Sequence, residues 1–158
     1  PDDRLRGMLF WLMGDLSQAD NAWQPLLVLA IALALAMPFA RELNLLARGQ
    51  MQAQALGVAV DRLRYAIYLL ASLATATAVT TAGAIGFIGL VVPHLVRLAS
   101  GNDQRLLLPA SALAGGALLL LADTLARSLI APQQLPVGVL TALIGVPVFL
   151  FLLSRQPK

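Results

Sequence analysis

The fold of this chain is decided by the stretch Gly86-Phe87-Ile88-Gly89-Leu90-Val91-Val92-Pro93-His94-Leu95-Val96-Arg97, in which an apolar run ends in a proline, the only histidine and an arginine. This run has the composition of a membrane segment rather than of a soluble core. Hydrocarbon offers no water to backbone N–H and C=O groups, so a segment with glycine and proline persists there only when neighbouring helices pack around it. The stretch therefore predicts a polytopic membrane protein with moving parts.

The composition of the whole chain predicts the same class. Of its 158 residues, 59% are hydrophobic and 12% are charged, with a mean hydropathy of +0.79. Soluble proteins average about 25% charged residues. The formal net charge of +3 does not indicate nucleic acid as a partner, because the basic residues are scattered at the ends of apolar runs and form no stripe. The absence of cysteine excludes disulfides and thiolate metal ligands.

Apolar runs alternate with short polar segments along the chain, which predicts an all-α transmembrane bundle in the lipid bilayer with about five crossings. The predicted crossings are residues 26–40, 65–82, 87–99, 106–127 and 137–153. Residues 1–24 are predicted to lie at the membrane interface on the periplasmic side. Residues 41–64 are predicted to form a polar connection, with a short helix at residues 51–56 that Gly57 ends. Residues 65–153 hold the remaining transmembrane helices.

The basic residues predict the orientation, since short cytoplasmic loops carry the excess of lysine and arginine. Placing the connection at 41–64, the turn at Gly101 and the C-terminus in the cytoplasm puts eight of the eleven basic residues there. They are Arg41, Arg48, Arg62, Arg64, Arg97, Arg105, Arg155 and Lys158. The outer side then holds Arg4, Arg6 and Arg127. We therefore expect a multi-pass protein with a cytoplasmic C-terminus.

Six ordered segments resemble the FecCD-type permeases of cobalamin, siderophore and haem ABC importers. They are Phe10-Trp-Leu-Met-Gly14, Asn44-Leu-Leu-Ala-Arg-Gly-Gln50 with Ala55-Leu-Gly-Val58, Gly83-Ala-Ile-Gly-Phe-Ile-Gly-Leu-Val-Val-Pro-His94, Leu107-Leu-Pro-Ala-Ser-Ala-Leu-Ala-Gly115, Leu121-Ala-Asp-Thr-Leu-Ala-Arg127 and Leu135-Pro-Val-Gly-Val-Leu-Thr-Ala-Leu-Ile-Gly-Val-Pro-Val-Phe149. The resemblance implies a roughly ten-helix permease, of which this chain is about the second half. The start at Pro1, without a methionine, agrees with that expectation.

The resemblance also implies a function. Such a permease moves a metal chelate across the bacterial inner membrane by alternating access, with a second permease subunit in a homodimer, a cytoplasmic ABC ATPase dimer and a periplasmic substrate-binding protein. The chain contains no G-x-x-x-x-G-K-[ST] phosphate loop, so it is expected to be no enzyme and to bind no cofactor directly. A partner ATPase would use the ATP. Cobalamin, ferric siderophores and haem all remain open as cargo.

Contact with the ATPase is implied for the cytoplasmic connection. The residues that match are Leu46, Ala47, Arg48, Gly49, Gln50, Ala53, Leu56 and Gly57. Gly57 allows the sharp exit that a compact elbow needs. Gln50 stands where many relatives carry an acidic residue, so no ion pair with the ATPase is expected there, and Arg48 is a candidate contact of opposite sign. The alternative is an ordinary cytoplasmic loop, although ordinary connections are usually only a few residues long.

Arg127 has two interpretations, which are compatible with each other. It follows Asp123 by four residues, the spacing of an ion pair on one helix face. The resemblance implies that Arg127 is also a docking charge that meets an acidic residue of the binding protein.

A helix break with a hinge or gating role is predicted at Gly83, Gly86, Gly89 and Pro93, because proline frees a carbonyl one turn earlier and permits a bend. A static kink is the alternative. His94 is predicted to cap a helix end or to hydrogen-bond near one. No metal site is predicted, since a metal needs several converging ligands. The threonines at 75, 77, 80 and 81 either pack between helices or line a pore.

Two other classes of protein remain open. A secondary transporter would place ionisable groups at mid-membrane, and Asp123 alone approaches that depth. A non-transporting membrane scaffold or a truncated product is the other alternative.

Overall fold

The computed structural model describes residues 2–16, 21, 23–128 and 135–154, which form helices joined by short turns. The helices are α1 (Asp2–Leu12), α2 (Trp23–Ala36), α3 (Ala40–Leu46), α4 (Gln50–Ala55), α5 (Val60–Ala82), α6 (Ile88–Ser100), α7 (Gln104–Ser128) and α8 (Val137–Ser154). One turn of 3-10 helix, Met37–Phe39, joins α2 to α3. The described residues contain no β-strand, so the all-α prediction is confirmed.

Four helical stretches of the described chain are long and apolar enough to cross a membrane. They are Trp23–Leu46, Val60–Ala82, Gln104–Ser128 and Val137–Ser154. Large apolar side chains cover their outer faces; Leu69, Leu113 and Leu120 are each at least 70% exposed. Lipid tails are as apolar as leucine, so such faces need no protein partner in a bilayer. The prediction of a multi-pass helical bundle is confirmed.

Two predicted boundaries differ from the structure. The first crossing starts at Trp23 rather than at residue 26 and continues to Leu46, because Pro38 falls in the 3-10 turn, where its missing N–H is tolerated. Helix α5 starts at Val60 rather than at residue 65, since the long side chains of Arg62 and Arg64 can reach solvent from a helix end. The predicted connection at 41–64 is therefore largely helical.

The crossing predicted at residues 87–99 is the short helix α6. Its 13 residues span about 20 Å, less than the hydrocarbon thickness of about 30 Å. The side chain of Phe87 lies against Gly145, which is about 12 Å along α8 from the start of that helix at Val137. The non-helical residues 83–87 therefore cover the remaining depth. This crossing consists of a non-helical segment followed by a short helix.

The bundle has two ends that differ in chemistry. At the glycine end, defined by Gly14, Gly83 and Gly138, three chain segments meet. At the polar end, defined by Asn44 and Asp103, the turn between α6 and α7 meets the end of α3. Between these ends α2 packs on α5, and α6 packs on both α7 and α8.

Small side chains form most of the buried core between the helices. Among the described hydrophobic residues, those at most 5% exposed are Ala40, Ala53, Val60, Leu63, Val91, Val92, Leu107, Ala122, Ala126 and Val137. Small residues let helix backbones approach closely, which matters inside a bilayer because the hydrophobic effect does not drive helices together there.

Candidate functional site

The polar end carries a compact elbow, residues 46–57, between two membrane-crossing stretches. Gly49 precedes α4 with φ of 127°, and Gly57 follows α4 with φ of 85°. Ala53 is fully buried; its N–H donates to the carbonyl of Gly49 at 3.1 Å, and its carbonyl accepts the N–H of Val58 at 3.0 Å. A Cβ at either glycine would meet no atom within 4 Å. Backbone conformation, rather than lack of space, therefore requires both glycines.

The structure brings the eight predicted coupling residues together in this elbow. Ala53 is buried and Leu46 is half-buried, whereas the other members are exposed: Ala47, Arg48, Gly49, Gln50, Leu56 and Gly57. Leu56 is 66% exposed and its neighbour Met51 is 84% exposed. Exposed apolar side chains beside polar ones on a short helix are typical of a protein-binding surface.

Gln50, the position without the expected carboxylate, has a partner within this chain. The guanidinium of Arg64 on α5 donates a hydrogen bond of 2.9 Å to Gln50 Oε1. This contact ties the start of α4 to the first turns of α5. The sequence analysis used Arg64 only as one of the basic residues that predict the cytoplasmic side, and it did not predict this contact with Gln50. Arg48 is exposed and makes no ion pair with the described residues.

Asn44 connects the α3 end of the elbow to the turn between α6 and α7. Its Nδ2 donates to Asp103 Oδ1 at 2.8 Å, and its Oδ1 accepts the N–H of Gln104, also at 2.8 Å. Asp103 Oδ1 additionally accepts the N–H of Arg105 at 3.1 Å. These bonds, the one from Asn44 first, hold the pKa of the Asp103 carboxyl below its usual value of 3.8. No local pattern in the sequence pointed to this pair, because the two residues are 59 positions apart.

At the glycine end, three backbone segments lie in direct contact. The N–H of Asp15 donates to the carbonyl of Ala82 at 3.0 Å, and the N–H of Gly138 donates to the carbonyl of Gly14 at 3.3 Å. A Cβ on Gly83 would meet the carbonyl oxygen of Trp11, and one on Gly138 would meet the carbonyl oxygen of Met13. This end of the bundle is therefore closely packed, backbone against backbone.

The predicted hinge residues fall into different environments. Gly83 is buried in the glycine end with φ of 73°, whereas a Cβ on Gly86 or Gly89 would meet nothing within 4 Å. Pro93 lies inside α6. Among the described residues, no atom therefore lies close to Gly86 or Gly89, whereas packing restricts Gly83. Whether the segment moves stays a prediction.

Phe87, just before the start of α6, lies against Gly145 in the middle of α8, and the sequence assigned neither residue a role of its own. Phe87 has φ of 65°, the only positive φ of a non-glycine residue in the described chain. Its Cβ and Cγ occupy the space that a side chain at Gly145 would need. A cavity of about 30 Å³ adjoins this contact, and its lining is Phe87, Ile88, Val91, Leu118, Ala122, Thr141, Ile144 and Gly145. Thr141 is the polar residue of this lining, and its hydroxyl donates a hydrogen bond of 3.0 Å to the carbonyl of Gly138. Because that hydroxyl is already bonded within α8, the cavity is apolar.

Arg127 lies at the glycine end of α7, on the same side as Asp15. Its Nε donates to Asp123 Oδ2 at 2.8 Å, so the predicted ion pair on one helix face is present. The Arg127 side chain remains 43% exposed. Docking of a binding protein at this charge stays a prediction.

Several other polar residues of the membrane stretches form hydrogen bonds within their own helix, whereas Ser111 Oγ is buried without a hydrogen-bond partner among the described residues. The hydroxyls of Thr77, Thr80 and Thr81 donate to carbonyls one turn earlier in α5, at 2.8 to 2.9 Å. The side chain of His94 is half-buried in the middle of α6 and makes no hydrogen bond to a described residue, so neither the predicted cap nor the predicted hydrogen bond near a helix end is present among the described residues. No group of three His, Cys, Asp or Glu side chains suited to a metal occurs in the described ranges.

A bundle of membrane-crossing helices with one broken crossing, and with an exposed elbow at one end, defines a helical membrane domain, and broken crossings of this kind occur in transporters. Comparison with known proteins gives the family. The profile of the FecCD transport family matches residues 1–155, and the chain belongs to this family.

Several curated relatives match nearly the whole chain. The hemin transport system permease protein HmuU of Yersinia pestis is 48% identical over 98% of this chain and 47% of its own length. The cobalamin import system permease protein BtuC of Halobacterium salinarum is 49% identical over 96% of this chain and 41% of its own length. The Fe(3+) dicitrate transport system permease protein FecC of Escherichia coli is 44% identical over 98% and 47%. The chain thus spans about half the length of these relatives.

A solved structure shares the fold. It is an inward-facing conformation of a metal-chelate type ABC transporter, with a TM-score of 0.83 and 35% sequence identity. The match covers 98% of this chain and 51% of the other. The family assignment, predicted from six sequence segments, is confirmed.

Proposed function

We propose that this chain is part of the permease subunit of an ATP-binding-cassette importer that moves a metal chelate across the bacterial inner membrane by alternating access. Haem, cobalamin and ferric chelates are the candidate cargoes. A partner ATPase hydrolyses the ATP, a periplasmic binding protein delivers the chelate, and a second permease subunit completes the pathway. The elbow and the C-terminus face the cytoplasm, and Arg127 faces the binding protein.

One observation carries this proposal: the exposed elbow lies directly between two membrane-crossing stretches. Two glycines of positive φ let the chain turn sharply before and after the short helix, and the hydrogen bond from Arg64 to Gln50 ties that helix to α5. A partner that pushes on α4 therefore moves α3 and α5 with it. The names of the relatives support import of a haem, cobalamin or iron chelate.

The broken crossing supports a path beside α6. Non-helical backbone at membrane depth is tolerated where it is packed by protein or lines a cavity. Residues 83–87 provide such a segment, with open space at Gly86 and Gly89 and an apolar cavity beside Phe87. Gly86, Gly89 and Pro93 are the positions at which we expect the gating movement.

Transport is tested with the full-length permease reconstituted in proteoliposomes with its ATPase and binding protein. Uptake of haemin, cobalamin and ferric dicitrate is measured separately, with ATP inside the vesicles and with and without vanadate. We expect vanadate-sensitive uptake of one of the three compounds. Failure of the permease to associate with any ABC ATPase would refute the proposal, whereas uptake driven by an ion gradient without ATP would favour a secondary transporter.

The elbow itself is tested by Gly57→Ala, with Gly116→Ala as the matched control. A Cβ at either glycine would meet no atom within 4 Å, but Gly57 alone of the two has a positive φ, of 85°. A non-glycine residue in that conformation costs roughly 1–2 kcal/mol, so the exit of the elbow should change shape. We expect Gly57→Ala to weaken binding of the ATPase about tenfold, for a loss of roughly 1.4 kcal/mol, and Gly116→Ala to leave binding unchanged. Equal affinities for both variants would contradict the docking role.

A further inference from the structure

The side-chain amide of Asn44 forms two hydrogen bonds to one short turn. As a donor it binds the Asp103 carboxylate at 2.8 Å, and as an acceptor it binds the N–H of Gln104, the first residue of α7, at 2.8 Å. We call these two bonds the Asn44 bridge. Asp103 also accepts two N–H groups at the start of α7. Its backbone carbonyl accepts the N–H of Leu107 at 2.8 Å, and its Oδ1 accepts the N–H of Arg105 at 3.1 Å. Asn44 therefore helps to cap α7 from a different part of the chain.

The Asn44 bridge joins two parts of the molecule with different roles. On one side, α3 leads within a few residues into the elbow and α4. On the other side, the turn at Asp103 joins α7 to α6, the short helix that carries Pro93 and begins beside Phe87. The bonds of the bridge span 59 and 60 residues, whereas the other side-chain hydrogen bonds that the structure describes span at most 14.

Little else fills the space around the bridge. A polar groove of about 430 Å³ opens beside it, lined by Asn44, Ala47, Arg48, Asn102 and Asp103. If the elbow shifted without the bridge, the groove could take up the shift, and the turn between α6 and α7 would stay behind. Hydrogen bonds have a direction and a short range, so the bridge fixes the relative position of the two parts more narrowly than apolar packing does.

We propose that Asn44 is a positioning residue that makes the elbow and the turn between α6 and α7 move as one body, so that a displacement of α4 reaches α6. This inference rests on the proposed function, because it takes the elbow to be the place where the ATPase acts. It adds a defined connection between that place and the broken crossing.

The charge state of Asp103 suits this role. Its hydrogen bonds hold the carboxyl pKa below 3.8, so the acceptor of the bridge stays ionised throughout the neutral range. An amide that donates to a carboxylate forms a charge-assisted hydrogen bond, which is stronger than one between two neutral groups.

The test measures one distance within a single permease subunit of the full transporter in nanodiscs. Spin labels are placed through Met51→Cys on α4 and Leu98→Cys on α6, both exposed positions in a chain without native cysteine. The distance between the labels is measured by pulsed electron paramagnetic resonance in the nucleotide-free state and after trapping with ATP and vanadate. With Asn44 present, we expect the same distance in both states, because the elbow and α6 move together.

Asn44→Ala is the test variant and Asn102→Ala the matched control. Asn102 lines the same groove but makes no side-chain hydrogen bond with a described residue. We expect trapping to change the distance by several ångströms in Asn44→Ala and to leave it constant in Asn102→Ala. A purely structural cap would shift the distance equally in both nucleotide states. The proposed role requires that the difference in label distance between the nucleotide-free and the trapped state be larger in Asn44→Ala than in the natural chain.

A rescue keeps the inference testable if Asn44→Ala folds poorly. Asn44→Asp places two carboxylates face to face and should separate the elbow from α6. Adding Asp103→Asn restores a pair of one amide and one carboxylate, and the constant distance should return. An unchanged distance in both Asn44→Ala and Asn44→Asp would overturn the inference while leaving the proposed function intact. Failure of the natural permease to bind an ATPase would instead refute the proposed function.

Discussion

The close packing at the glycine end makes a quantitative prediction for Gly138→Ala. Gly138 lies in the first turn of α8, and its N–H donates to the carbonyl of Gly14 at 3.3 Å. An added Cβ would meet the carbonyl oxygen of Met13 and would lie 3.1 Å from the carbonyl oxygen of Ala84. Both neighbours are backbone atoms, so they cannot turn aside as the end of a flexible side chain would.

The magnitude follows from three contributions to the free energy of unfolding. Overpacking of a closely packed site costs about 1–3 kcal/mol. Loss of the hydrogen bond between Gly138 and Gly14 costs about 0.5–1.5 kcal/mol if the two segments separate. Replacing a helical glycine by alanine stabilises the folded state by about 0.5–1 kcal/mol, because glycine loses more backbone entropy on folding. The expected net effect of Gly138→Ala is therefore a destabilisation of about 0.5–4 kcal/mol, centred near 2 kcal/mol.

The matched control is Gly116→Ala in the middle of α7, where a Cβ would meet no atom within 4 Å. Gly116→Ala gains the helix preference of alanine over glycine and creates no steric contact, so it should stabilise the protein by up to about 1 kcal/mol. Unfolding of both variants and of the natural chain is followed in mixed micelles by titration with a denaturing detergent. Opposite signs for the two variants are expected. If both stabilised the protein, the contact between α8 and the segment around Met13 would not exist as described.

Two further predictions concern charges at opposite ends of the bundle. Arg127→Glu should slow association of the periplasmic binding protein and weaken the salt dependence of the association rate, because exposed rim charges mainly steer the encounter. Asp123→Asn is the control, since it removes the ion pair but keeps the positive charge of Arg127, and it should leave the association rate unchanged. Identical association rates for the two variants in stopped-flow measurements would contradict docking at Arg127. The second prediction concerns the pH dependence of the Asn44 bridge. Since the pKa of Asp103 is lowered on folding, its contribution is present above the unfolded value of 3.8 and is lost as the pH falls through the lower folded value. The distance between labels at Met51 and Leu98 should therefore stay constant from neutral pH to about pH 5, and a change within that interval would show that another group controls the bridge.

Local properties of the sequence explain the parts of the fold that were predictable. Apolar runs of sufficient length predict crossings because the bilayer accepts helices of that length whatever their neighbours are. The short helix of the elbow was predicted at residues 51–56 and lies at Gln50–Ala55, since Gly57 ends a helix through its own backbone conformation. The ion pair of Asp123 and Arg127 was predictable for the same reason, because four residues on one helix fix the spacing.

Other features depended on the neighbours that a residue meets. The sequence predicts a crossing at residues 87–99, and its helix lies at Ile88–Ser100, but the sequence does not show at what depth in the bundle that helix begins. The contact of Phe87 with Gly145 places its start well inside the bundle. Likewise, Gly83 was grouped with Gly86 and Gly89 as a hinge residue, and only the approach of Trp11 distinguishes its packed environment from their open ones.

The sequence by itself determined that this chain is a membrane-crossing helical bundle of the FecCD type with an elbow closed by glycines, because hydropathy, helix length and backbone freedom belong to each segment alone. Only the tertiary structure decided that Asn44 meets Asp103, and that Gly14, Gly83 and Gly138 bring three segments into contact. The physical reason is that hydrogen bonds and steric contacts act over a few ångströms. Residues that are distant in sequence can form them only after the helices have packed.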